Sequence, residues 1–302
     1  MMRVLVLMAG GGGKRLAGLT GGIPKQFLPL AGGRPMLAEA YEAALPVVDE
    51  TLVVAGKRWA WAVRQVLPSL RGDGLLVEPR GRNTGPCLVL AASVANRRWG
   101  EDTVLLCLPS DFHAGDVAAF RRTLGAACEA AAATGGLVAI AVAASRPEPG
   151  FGYMRLEPAC ADERSPRRVL EFAEKPPAQE AAGLLAEGWL WNTGMYCFRA
   201  SAFLEEAHLY LPDAWRELSC LPLSPRSHKP GAKALREAYA RLEAASVDYA
   251  VSQRTQRLYA VTGDFGWDDV STVESALRAG GPGLYGRVDA WRQRLQRGRA
   301  QR

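Results

Sequence analysis

Uninterrupted apolar runs recur along the first half of the chain, at 3–9, 51–55, 74–77, 103–108 and 136–143. Within the fourth, Val104-Leu105-Leu106-Cys107-Leu108 shows no polar alternation, the pattern of a strand covered on both faces. Between the runs lie helix-like stretches at 35–45, 58–67, 84–98 and 116–133. Alternating strand and helix with connections this long predicts a Rossmann-like α/β fold, a mostly parallel sheet flanked by helices.

After residue 145 the pattern changes. Gly150-Phe151-Gly152-Tyr153-Met154 and Val169-Leu170-Glu171-Phe172 read as short strands beside a cleft, and 177–187 as a helix. Trp191 to Phe198 reads as a strand, and 200–220 and 231–244 as helices around a Pro/Ser-rich loop at 222–230. A last strand falls at 257–261 and a last helix at 271–279. No internal repeat or linker interrupts this order. The expected organisation is one domain over 1–284, with a first part at about 1–145 and an insertion-rich second part at about 146–284. A separable tail, helical or disordered, follows at 285–302.

Charge supports that division. The net charge is +6, and residues 285–302 hold six arginines against one acid, leaving 31 basic and 30 acidic residues in 1–284. A nearly neutral body argues against nucleic acid as the partner, and a short basic tail is read as a solvated terminus. No apolar stretch reaches the length of a membrane span, and the first apolar run enters a glycine loop with no cleavage site, so a cytoplasmic location is expected. The six cysteines lie 20 to 37 residues apart without a C-x-x-C pair, which favours small core residues over zinc or disulfides.

Candidate chemistry begins at the end of the first run, with Gly10, Gly11, Gly12, Gly13, Lys14 and Arg15, followed by Pro24-Lys25-Gln26-Phe27-Leu28. Glycines let backbone N–H groups close on phosphates, and Arg15 and Lys25 bring positive charge to the same oxygens. Leu108-Pro109-Ser110-Asp111 ends the most buried strand, where open α/β sheets bind ligands. Asp111 is either a Mg²⁺ ligand or a turn or cap residue. The same two readings hold for Asp268 and Asp269, which follow Trp267. Glu78-Pro79-Arg80-Gly81-Arg82-Asn83-Thr84 is a polar turn that either caps a helix or meets a base edge. Glu174-Lys175-Pro176 and Trp191-Asn192-Thr193-Gly194-Met195 each place a polar group at a strand end.

Taken together, these segments resemble the sugar-1-phosphate nucleotidylyltransferases, and within them the mannose-1-phosphate guanylyltransferases, over about residues 3–272. The glycine loop with Arg15, P-K-Q-F-L, E-P-x-x-R-N-T, L-P-S-D, G-F-G-Y-M, E-K-P, W-N-T-G-M, S-V-D-Y-A at 246–250 and W-D-D-V at 267–270 occur in the family's order. The resemblance implies a GT-A-like nucleotide-diphospho-sugar transferase fold, with a nucleotide-binding part at about 1–145 and a small sugar-binding insertion within about 146–284. It also implies Mg²⁺ on Asp111 and Asp269, with the W-x-D-V register selecting Asp269 over Asp268. Arg15 and Lys25 would bind the triphosphate. The glycine loop would cradle the phosphates, and Glu78, Arg82, Asn83 and Thr84 would recognise guanine. Gly152, Glu174, Asn192 and Thr193 would bind the hexose, with Lys175 on its phosphate. The implied reaction joins GTP and mannose 1-phosphate into GDP-mannose and pyrophosphate, and a homodimer is among the assemblies it allows. Two alternatives stand beside it. One is the same fold with another pair, such as dTTP and glucose 1-phosphate. The other is a non-catalytic nucleotide-sugar-binding homologue. Lys14, Ala17-Gly18, Gly85 and Ser271 depart from the family's usual residues.

Overall fold

The computed structural model describes residues 1–11, 16–30, 32–158 and 165–300. The first half alternates strand and helix. In chain order come β1 (Arg3–Met8), α1 (Ala17–Thr20), α2 (Met36–Ala44), β2 (Glu50–Gly56), α3 (Ala60–Val66), β3 (Leu75–Glu78), α4 (Thr84–Trp99), β4 (Val104–Pro109), β5 (His113–Ala114), α5 (Val117–Thr134) and β6 (Leu137–Ala143). The second half follows with β7 (Gly152–Leu156), β8 (Arg167–Glu174), α6 (Ala178–Ala186), β9 (Leu190–Arg199), α7 (Ala200–Tyr210), α8 (Pro212–Leu218), α9 (Ala232–Arg241), β10 (Leu258–Thr262), β11 (Trp267–Asp268), α10 (Val273–Gly280) and α11 (Leu284–Ala300).

Among the described residues, nine strands form one sheet in the order β3-β2-β1-β4-β9-β6-β10-β8-β7, and β11 and β5 make a separate small pair. The run β3-β2-β1-β4 is parallel throughout. Its strands are buried on both faces: Val4, Leu5, Val6 and Leu7 are each 0% exposed. One large cluster packs α2, α3 and α5 against one face of the sheet, and a second packs α4, α7, α8 and α9 against the other. Antiparallel pairing dominates the second half, where β9 joins β4 and β6, and β7 joins β8 and β9. Parallel pairing is thus concentrated in the first half, with β10 beside β6 a parallel pair that brings in a later strand. Short connections such as β7 to β8 cannot make parallel crossovers.

Helix boundaries follow local chemistry. Asp116 caps α5 by accepting from the Ala119 N–H at 2.9 Å, and Gly135 ends it in a left-handed turn at φ 62°. Thr272 and Ser275 form a capping box at the start of α10. The segment expected to be a separable tail is α11, and it is docked. Leu284, Val288 and Leu295 are buried, and Trp291 packs against the core. Its apolar residues recur at helical spacing among the arginines, so net charge concealed a packing face. Cys87, Cys107, Cys128 and Cys197 are buried free thiols, and Cys160 lies outside the described residues.

Candidate active site

A cleft of about 280 Å³ opens at the carboxyl ends of β1, β3 and β4. The parallel strands deliver its walls, as expected for an open α/β sheet. Past β1 come Gly10 and Gly11, past β4 come Ser110 and Asp111, and β3 ends on Glu78. Asn83 and Thr84 line the cleft from the start of α4. Gly12, Gly13, Lys14 and Arg15 lie outside the described residues.

Two side chains fix the glycine segment. Gln26 is buried, and its Nε2 donates to the carbonyls of Ala9 at 3.0 Å and Gly11 at 3.1 Å. The Ser110 hydroxyl donates to the Met8 carbonyl at 2.8 Å. Gly10 sits close against Glu78: a Cβ there would lie 3.1 Å from Glu78 Oε2. The P-K-Q-F-L element thus supplies a structural glutamine as well as Lys25.

Lys25 joins the two aspartates. Its Nζ lies 3.0 Å from Asp111 Oδ2 and 3.7 Å from Asp269 Oδ1, and it donates to the Asp269 carbonyl at 2.9 Å. The ammonium, mostly shielded from water, therefore sits where a cation meets both carboxylates. The two carboxylates therefore converge on one cation. Two carboxylates are a donor set that would fit Mg²⁺ completed by phosphate oxygens and water, and among the described residues no cluster of three His, Cys, Asp or Glu could hold a metal.

The capping alternative is excluded for Asp111, which lies in the bend after β4. Asp111 caps no helix, since α5 begins at Asp116. Asp268 is structural: its Oδ1 accepts from the Val270 N–H at 2.8 Å and its Oδ2 pairs with Arg278 at 3.1 Å. That bond holds Val270 at φ 50°, a conformation that costs a β-branched residue energy, directly after Asp269.

At the far end of the cleft Glu78 is 3% exposed, and its Oε1 accepts from the Tyr239 hydroxyl at 3.0 Å. Burial pushes its carboxyl up from 4.5 to about 7, with the Tyr239 hydrogen bond opposing. Asn83 caps α4 by accepting from the Thr84 N–H at 2.9 Å, at φ 69°, and also faces the cleft. Its capping bond and its place in the cleft lining therefore coexist. Arg82 does not join them. Its Nε donates to the Tyr239 carbonyl at 3.4 Å, which draws the side chain to α9 instead of the cleft.

The sugar candidates meet across the sheet. Gly152 pairs with Glu174 on β8 and with Asn192 on β9. A Cβ at Gly152 would lie 2.6 Å from Glu174 Oε2 and 3.3 Å from Asn192 Cβ, so a larger residue there would displace the Glu174 carboxylate. Glu174 pairs with Lys175, whose ammonium lies 5.7 Å over the Tyr249 ring. Burial pushes the Glu174 carboxyl up, the charge of Asp248 adds to this, and Lys175 opposes it. Thr193 is a correction. It is 5% exposed, and its hydroxyl donates to the Ile140 carbonyl at 2.8 Å. The pairing of β9 with β6 is irregular here, and this bulge turns Thr193 inward while Gly194, at φ 72°, lines the cleft.

Asp248 is the residue the sequence reading did not assign. Its Oδ1 accepts from Asn192 Nδ2 at 3.0 Å and from the Tyr196 hydroxyl at 2.7 Å, and its Oδ2 accepts from Ser246 Oγ at 2.8 Å. It begins a single π turn, Asp248–Ser252, and lines the cleft beside Gly194. The Val247 N–H donates to Thr84 Oγ1 at 2.9 Å, so this segment ties the start of α4 to the sugar strands. The S-V-D-Y-A motif was the available signal, but nothing in it points to Asn192.

Residues 4–281 match the model of the family described as Nucleotidyl transferase. The alginate biosynthesis protein AlgA of Pseudomonas putida is 36% identical over 282 residues, 91% of this chain and 57% of that protein. A mannose-1-phosphate guanylyltransferase of Escherichia coli K12 is 36% identical over 281 residues, 89% of this chain and 58% of that protein. This chain thus spans under two thirds of the length of these relatives. A solved structure described as mannose-1-phosphate geranyltransferase from Thermus thermophilus superposes with a TM-score of 0.76 at 33% identity, covering 90% of this chain and 77% of that one. The glycine segment, the paired aspartates on Lys25 and the match over residues 4–281 agree, and the chain belongs to the nucleotidyl transferase family.

Proposed function

We propose that this chain transfers GMP from GTP to mannose 1-phosphate, giving GDP-mannose and pyrophosphate, with Mg²⁺ as cofactor. The observation that carries the reading is the position of Lys25 between Asp269 and Asp111, the latter lining a cleft that also holds Glu78. The similarity to a mannose-1-phosphate guanylyltransferase supports the choice of substrates.

Guanine presents two adjacent donors, N1–H and the N2 amino group, and an ionised carboxylate accepts both. Glu78 offers that group in a buried setting, where an unmatched partner is costly. The glycine segment offers backbone N–H groups to the phosphates. Asp111 and Asp269 would hold Mg²⁺, which when bound supplies charge neutralisation at the phosphate oxygens. Arg15, by the family resemblance, and Lys25 would share that task. Glu174 and Asn192 would bind the hexose hydroxyls, and Lys175 its phosphate.

A phosphate oxygen of the sugar phosphate attacks the α-phosphorus of GTP in line. The bond from that phosphorus to the bridging oxygen breaks, and pyrophosphate leaves with the electron pair. The nucleophile is already an anion, so no general base is needed. The residues' task is to bring two anions together and hold them aligned. Both proposed substrates are metabolites of the cytoplasm. We assign the chain to the cytoplasm on that ground.

The test is pyrophosphate release by the purified chain across four NTPs, each with mannose 1-phosphate and glucose 1-phosphate, with and without Mg²⁺. GTP with mannose 1-phosphate should give the highest kcat/KM. Preference for dTTP with glucose 1-phosphate would replace the substrates, and no turnover with any pair would refute the reading.

A further inference from the structure

We infer a second binding site, for a small phosphate-bearing anion, at the opposite end of the sheet from the cleft. A concavity of about 440 Å³ lies among the start of β2, residues 71–73, the end of α4 and the loop at 222–230. Its walls include Arg71, Arg97, Arg98 and His228, with Glu50 and Asp73 as the acids. Lys229 and Arg64 stand beside it, both donating to the Gly72 carbonyl, at 2.9 and 3.3 Å.

The charges do not balance. Arg71 lies 3.3 Å from Glu50 and 3.4 Å from Asp73, and Arg98 lies 2.7 Å from Asp73, so two arginines engage both acids. Arg98 is also fixed 4.1 Å over the Trp99 ring. The other three cations rest on carbonyls. Arg97 donates to Leu221 at 2.6 Å, Arg64 to Gly72, and Lys229 to Gly72 and, at 3.2 Å, to Leu75. A carbonyl dipole orients a cation without cancelling its charge. Burial, and then the positive charge of Arg64, push the Lys229 ammonium below its usual range, with Asp73 opposing. A concavity that gathers like charges and spends backbone acceptors on orienting them is complementary to a compact polyanion. Phosphate supplies the charge and several acceptor oxygens, in a geometry the guanidinium fork matches.

This site is separate from the substrate cleft. Strand β3 begins here at Leu75 and ends in the cleft at Glu78. Helix α4 begins at the cleft with Thr84 and carries Arg97 and Arg98 in its last turn, about 20 Å away at 1.5 Å per residue.

The experiment is calorimetric titration of the full chain with inorganic phosphate, in chloride at fixed ionic strength. It uses wild type, Asp111→Asn, Arg97→Gln and Lys229→Gln. Glutamine retains a donor for the carbonyl each cation holds, and melting temperatures check that both variants fold. If one does not, the other carries the comparison. The expected result is saturable binding that survives Asp111→Asn and weakens roughly 10-fold or more in Arg97→Gln and Lys229→Gln, the loss of one charge-assisted contact. Unchanged affinity in both pocket variants, loss of binding in Asp111→Asn, or no saturable binding to wild type would overturn the inference. Each outcome is independent of which nucleotide and sugar the cleft accepts.

Discussion

Replacing Glu78 by Gln should make the protein more stable and less able to use GTP. Glu78 is nearly inaccessible to water, and burial raises its carboxyl from 4.5 to about 7. A carboxyl raised on folding releases its proton first in the unfolded chain. The native state therefore carries no penalty below about pH 4.5, loses stability as pH rises, and bears the full cost above about pH 7. At ~1.4 kcal/mol per pH unit that cost is about 3 kcal/mol, worth several degrees of melting temperature. Glutamine escapes it, and its carbonyl still accepts from the Tyr239 hydroxyl.

Function moves the other way. The amide presents one acceptor and one donor to two guanine donors, so a charge-assisted hydrogen bond is lost and two donors confront each other. One such bond is worth about 1.5–3 kcal/mol, or roughly 10- to 150-fold in kcat/KM for GTP. ATP shares the triphosphate, lacks the N1–H and N2 donors, and should lose far less. Urea unfolding at pH 5 and pH 8 and pyrophosphate release with GTP and ATP read both effects. If Glu78→Gln gains no stability at pH 8, the burial argument fails. If its GTP-to-ATP preference equals that of wild type, the assignment of Glu78 to the base fails.

Three further perturbations address other parts of the cleft. Lys25→Gln removes the cation between Asp111 and Asp269, so the two carboxylates repel each other; calorimetry should show a melting temperature that falls without Mg²⁺ and rises further on adding Mg²⁺ than in wild type. Gly152→Ala puts a methyl group 2.6 Å from Glu174 Oε2; the displaced carboxylate should raise KM for the sugar phosphate about 10-fold, the worth of one hydrogen bond, while KM for GTP stays put in initial-rate measurements. Asp248→Ala removes the acceptor that fixes Asn192 and Tyr196; kinetics should show KM for the sugar phosphate rising more than KM for GTP, and equal rises would mean that Asp248 serves the fold alone.

The elements legible in the sequence were those whose signal is local. Buried strands announce themselves as apolar runs, and β1, β2, β3, β4 and β6 fall within a residue or two of their runs. Asp111 and Asp269 were legible as candidates because strand ends and the W-x-D-V register fix them, although only the fold brings both to Lys25. Long-range partners left no mark. Thr193 resembles a ligand in its motif but is spent on Ile140, because the bulge in β9 decides which way it turns. Arg82 goes to the Tyr239 carbonyl, a contact between residues 157 positions apart. Asp248 was quoted within a motif, yet its bond to Asn192 crosses 56 positions. Each of these depends on tertiary geometry that no window of sequence contains.

The same reasoning explains how three distant segments act as one site. Leu16 follows the glycine loop, Leu28 ends the P-K-Q-F-L element, and Val270 follows Asp269. All three are nearly inaccessible and meet in one cluster with Leu284 and Val288 of α11. That cluster is the physical link between residues about 250 positions apart whose polar neighbours, in the proposed function, would align on one triphosphate. Close packing makes such a cluster transmit displacement instead of absorbing it. The strained turn at Val270 is held there by burial as well as by Asp268. The last helix, read from its arginines as a tail, therefore belongs to the framework of the cleft. Close packing carries its influence on Asp269 through Val270, without a side chain of its own in the cleft lining.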